Sequence, residues 1–95
     1  MEKTHGKAIK KPIEINWFLW QGDIESLSKW HNSFENKYPE GDSIFIYDMS
    51  DKTLRVNTLE GSSYAVPEGY YILRGIEGEY YPCESKIFQK SYNIL

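Results

Sequence analysis

Apolar and polar positions alternate from Ile13 to Trp20, which sets Ile13, Ile15, Trp17 and Leu19 on one face and Phe18 and Trp20 on the other. A period of two predicts a strand, and apolar residues on both faces predict one covered on both sides. Gln21-Gly22-Asp23 turns the chain, and the Asp23 carboxylate is placed to accept from the first free amides of a helix. Behind it Ile24, Leu27, Trp30 and Phe34 recur at three- and four-residue steps, so they share one helical stripe. The helix is expected to end near Asn36, because Tyr38-Pro39-Glu40-Gly41-Asp42 forbids its continuation.

The second half reads as a meander. Ser43 to Tyr47 is β-rich, residues 48–52 form a loop, and Leu54, Val56 and Thr58 alternate with Arg55 and Asn57. A turn at residues 60–63 leads to a short strand at Tyr64 to Val66, and a bend at residues 67–69 leads to Tyr70 to Arg74. Gly75 to Gly78 is a hairpin turn, and Glu79 to Tyr81 pairs back. Gly61, Gly69, Gly75 and Gly78 fall at reversals, where positive φ costs glycine little. Ser85 is expected to cap a last short helix that turns Ile87, Phe88 and Tyr92 inward. The expected fold is α+β: a small, curled, mostly antiparallel sheet packed on one amphipathic helix, with a short C-terminal helix. Residues 1–11 are expected to be a mobile basic tail and residues 12–95 a single domain.

Composition narrows the function. With 95 residues the chain suffices for one modest core. Aromatics make up 16 % of it, a density that helps a small domain bury area. The net charge of −3 disfavours long nucleic acid as a partner, and the basic cluster Lys3, Lys7, Lys10 and Lys11 reads as a solvated end or, alternatively, a phosphate-binding arm. One cysteine allows no internal disulfide, no apolar run approaches a membrane span, and the opening residues lead into no apolar signal region. The expected compartment is a reducing cytosol.

Catalytic and metal chemistry find little support. Cys83 stands before the expected helix, where a dipole would favour thiolate, yet packing is the simpler reading, and His31 is the one histidine in the ordered region. The histidines, His5 and His31, show no paired-ligand spacing with it, so neither a metal nor a cofactor is expected. A carboxylate cation site at Asp48 and Asp51 reads more simply as a solvated loop. The acids fall mainly in turns and helix ends, and no phosphate-binding glycine loop occurs. No catalytic residue is expected. The candidate binding residues are Tyr64, Tyr70, Tyr71, Arg74, Tyr80 and Tyr81, on neighbouring strands. Alternation parts Tyr70 from Tyr71 and Tyr80 from Tyr81, so one face carries two or three tyrosines with Arg74, residue types that dominate protein interfaces. Cover by the amino-terminal strand or a second copy is the competing expectation, and homodimerisation would close the open edge strands.

Lys11-Pro12-Ile13-Glu14, Trp20-Gln21-Gly22-Asp23, Thr58-Leu59-Glu60-Gly61 and the whole of Gly69 to Tyr92 carry a resemblance. They are similar to small proteins encoded by phages and prophages of low-GC bacteria, sometimes grouped as PGDYG-like. The pattern of that family closes on Gly-Asp-Tyr-Ile-Ile-Arg-Gly-Val-x-Gly-Glu-Phe-Tyr-Pro-Cys-x-x-x-Ile-Phe-x-x-Thr-Tyr. This chain departs from it at Tyr70, where the family commonly has Asp. The resemblance implies an accessory protein of unassigned biochemistry that binds a host factor, as an inhibitor of a host system such as antiviral defence. Sequestration of a small nucleotide signal and a minor structural role in the virion are the alternatives.

Overall fold

The computed structural model describes residues 4–9, 11–34, 44–58 and 61–95. Six strands and two helices are laid down as β1 (Asn16–Leu19), α1 (Ile24–Asn32), β2 (Phe45–Asp48), β3 (Thr53–Asn57), β4 (Ser63–Ala65), β5 (Tyr71–Arg74), β6 (Tyr80–Cys83) and α2 (Ser85–Ser91). The fold is α+β, as expected, but its strands form two antiparallel three-stranded sheets, β1-β5-β6 and β2-β3-β4, where the sequence suggested one.

The first sheet is covered on both sides. In its register Phe18, Ile72 and Pro82 stand abreast, and Trp17, Leu73 and Tyr81 stand abreast one residue on. Residues paired across an antiparallel ladder share a face. One face therefore presents Phe18, Ile72 and Tyr80 to a core built with Trp20, Leu27 of α1, and Ile44, Leu54, Val56 and Val66 of the second sheet and its flanks. The other presents Leu19, Tyr71, Leu73, Tyr81 and Cys83 to Phe88 and Tyr92 at α2. The apolar residues on both faces of the Ile13–Trp20 run find their cause here.

β1 begins at Asn16 and not at Ile13, because Asn16 pairs with Arg74, the last residue of β5 before its turn, and the strand has no partner beyond it. The Asp23 carboxylate caps α1, accepting from the amides of Glu25 and Ser26 at 3.1 and 3.3 Å. α1 closes at Asn32, short of Asn36, with the Ser33 hydroxyl donating to the Trp30 carbonyl at 2.6 Å. The turn expected at residues 38–42 lies outside the described residues, as do Lys3 and Lys10 of the basic segment.

Gly61, Gly69 and Gly78 have φ of +89°, +91° and +81°, the left-handed region their turns require. Gly75 does not have a positive φ, and a Cβ there would meet only the Glu79 carboxylate, the movable end of a side chain that would have to shift. Ser85 does not cap α2. Glu84 holds that position without a side-chain cap, and its carbonyl accepts from the Phe88 amide at 2.9 Å. Phe88 and Tyr92 turn inward as expected, whereas Ile87 is 55 % exposed. Adjacent helical residues lie about 100° apart, so a two-turn helix cannot bury both.

Candidate functional site

The structure divides the six expected binding residues. Tyr70, Arg74 and Tyr80 share the α1 side of the first sheet, Tyr71 and Tyr81 lie on the α2 side, and Tyr64 belongs to the second sheet. Tyr80 is 2 % exposed and Tyr70 packs against the same core, so the face that groups tyrosines with Arg74 is largely closed by α1 and the second sheet, while Tyr71 is buried under α2.

Around Tyr80 the α1 side forms an aromatic box. The rings of Trp30, His31 and Phe45 meet the Tyr80 ring edge-on at centroid separations of 5.7, 5.3 and 5.2 Å. The Arg74 guanidinium lies 4.5 Å from the Phe34 centroid, a cation–π contact, and hydrogen-bonds the Tyr80 hydroxyl. Arginine only donates, so the Tyr80 oxygen accepts from it, and the same hydroxyl shares a hydrogen bond with His31 Nδ1, 3.0 Å away, whose direction follows the imidazole tautomer. Burial, then the nearby Arg74 charge, lowers the His31 pKa below its ordinary 6.5. Burial raises that of Tyr80. The three side chains are thus poised as cation, neutral phenol and neutral imidazole, an arrangement that pins the end of α1 to the sheet. Sequence reasoning weighed His31 only beside Cys83 and missed this role, for which the signal was its position four residues after Leu27, on the flank of the apolar stripe.

Cys83 lies on the opposite face from Tyr80, so the sheet separates its thiol from the imidazole. Its Sγ donates to the Glu84 carbonyl at 3.7 Å. Among the described residues no group of three or more His, Cys, Asp or Glu side chains is placed to hold a metal ion, and no helix is long and apolar enough to cross a membrane.

Tyr64, Tyr80 and Tyr81 come together at a surface groove of about 430 Å³, completed by Thr58, Glu77, Glu79 and Pro82. Three causes build it. β4 is an edge strand, and Tyr64, paired with the buried Val56, overhangs the core margin and stays 47 % exposed. β6 is the edge of the first sheet and sets Tyr80 and Tyr81 along the floor. The Gly75–Glu79 turn, closed by the Gly75 amide on the Glu79 carbonyl at 2.9 Å, brings two acids to the rim. Beyond Glu79 and Tyr81 a second groove of about 340 Å³ opens toward Lys11, Ile13 and Ile76. Burial and a hydrogen bond with Tyr92 raise the Tyr81 pKa, helped by the Glu79 charge, so Tyr81 stays a neutral phenol. Sequence reasoning missed Thr58, Glu77, Glu79 and Pro82. The acids' place beside Gly78 in a hairpin turn was their only signal.

No protein family, curated protein or solved structure matches the chain.

Proposed function

We propose that the protein is a non-catalytic accessory protein of a phage or prophage that works in the bacterial cytoplasm. It binds a host protein, as an inhibitor of a host system such as antiviral defence. The observation that carries the binding role is the groove at β6, where an exposed tyrosine and two neighbouring tyrosines meet beside polar rim residues. Tyrosine at an interface supplies large rigid area while its hydroxyl tolerates water. The placement of Cys83 and His31 on opposite faces supports the non-catalytic part. The resemblance of the closing motif supports the phage context. A nucleotide signal suits this groove less well, since its rim carries Glu77 and Glu79 and its lining has, among the described residues, no lysine or arginine to meet phosphate.

Affinity capture from bacterial lysate with the wild-type chain, Tyr64→Ala and the remote control Met49→Ala tests the reading. The account expects Tyr64→Ala to lose the recovered partner about tenfold or more, as an interface aromatic does, with Met49→Ala unchanged. Equal recovery by Tyr64→Ala and wild type would contradict it.

A further inference from the structure

The groove at β6 has a one-sided chemistry. Its lining sets two carboxylates, Glu77 and Glu79, among tyrosines and, among the described residues, contains no lysine, arginine or histidine. The nearest arginines are engaged elsewhere. Arg55 lies on the other face of the second sheet, donating from Nε to the Ser63 hydroxyl and from its terminal nitrogen to the Ser63 carbonyl, each at 3.0 Å. Arg74 is held over Phe34 on the α1 side.

Glu79 supplies an independent indication. Its Oε1 is buried over Gly75 and has no hydrogen-bond partner among the described residues. A desolvated carboxylate oxygen without a donor is costly, and so rare in folded proteins. Glu79 lines this groove as well as the neighbouring one that Gly75 lines, and a cationic donor in the β6 groove would relieve the cost by drawing the carboxylate across from Gly75. Tyrosine faces attract the same cations, guanidinium above all, because the planar group stacks on a ring while its N–H fork meets carboxylates. The net charge of −3 steers a basic partner toward the molecule.

We propose that this groove receives an arginine side chain from the protein partner, stacked on Tyr64 or Tyr81 and paired with Glu77 and Glu79. The inference rests on the groove being the binding surface and adds the chemistry of what enters it.

Titration of the isotope-labelled full chain by NMR with acetyl-Gly-Arg-Gly-amide, and with its uncharged citrulline isostere, provides the test. The amides of Tyr64, Glu77, Glu79 and Tyr81 should shift with the arginine peptide and stay in place with the citrulline peptide. The pair Glu77→Gln with Glu79→Gln should weaken the arginine response about tenfold, as loss of charge-assisted bonds does, and Tyr64→Ala should weaken it too. Equal responses to both peptides, or none at these residues, would overturn the arginine assignment. A response that appears only after Lys7→Gln and Lys11→Gln would overturn it as well, by showing that the chain's own lysines fill the groove. In each case the binding surface itself is judged separately: loss of partner capture by Tyr64→Ala would keep the surface and discard only its chemistry.

Discussion

At the scale of single residues the molecule turns on Tyr80, whose hydroxyl stands between a guanidinium and an imidazole. The Tyr80 hydroxyl and His31 Nδ1 share a hydrogen bond at 3.0 Å, and protonating the half-buried imidazole would put a second cation beside Arg74. The His31 pKa is lowered by burial and by Arg74. In the window below 6.5 the unfolded chain therefore binds more protons at this site than the folded one. Its contribution is complete above the ordinary value of 6.5 and is lost as pH falls through the lowered folded value. Urea unfolding should accordingly show a lower midpoint at pH about 5.5 than at about 7.5, and His31→Gln should shrink that difference. An unchanged difference in His31→Gln would place the titrating group elsewhere.

The elements show which features of the chain were readable. The two-sided strand was legible because Trp17 and Leu19 alternate with Phe18 and Trp20 and each set has its own cluster to join. The helix stripe and its Asp23 cap were legible because both are local. The split into two sheets was not, since strand partners are chosen by non-local packing that no alternation encodes. The start of β1 was hidden for the same reason: it depends on where β5 stops. α2 is held chiefly by Phe88, 1 % exposed and stacked on Tyr71 at 4.1 Å and Tyr92 at 5.2 Å. Phe88→Ala should cost about 3–5 kcal/mol in urea unfolding, through the cavity it leaves and the lost ring contacts. Ile87→Ala, on the exposed side, should change stability by only about 0.5 kcal/mol. Equal losses would mean that α2 does not cover the sheet as described.

For the whole molecule, the tyrosine richness pointed to a binding role, but the sequence could not say which tyrosines stay in water. That depends on which strands become edges. Tyr64 is exposed because β4 closes one sheet, whereas Tyr70 and Tyr71 flank or occupy the central strand β5 and are drawn into the two clusters. The outcome is an acidic surface on which tyrosines and two carboxylates converge at the margin between the sheets. Amide chemical-shift mapping of the labelled protein on addition of the captured partner measures the central claim most directly. The largest changes should fall at Thr58, Tyr64, Glu77, Glu79 and Tyr81, with the amides of helix α2 itself unperturbed. Changes confined to α2 or to the outer face of the second sheet, around Arg55, would contradict the account.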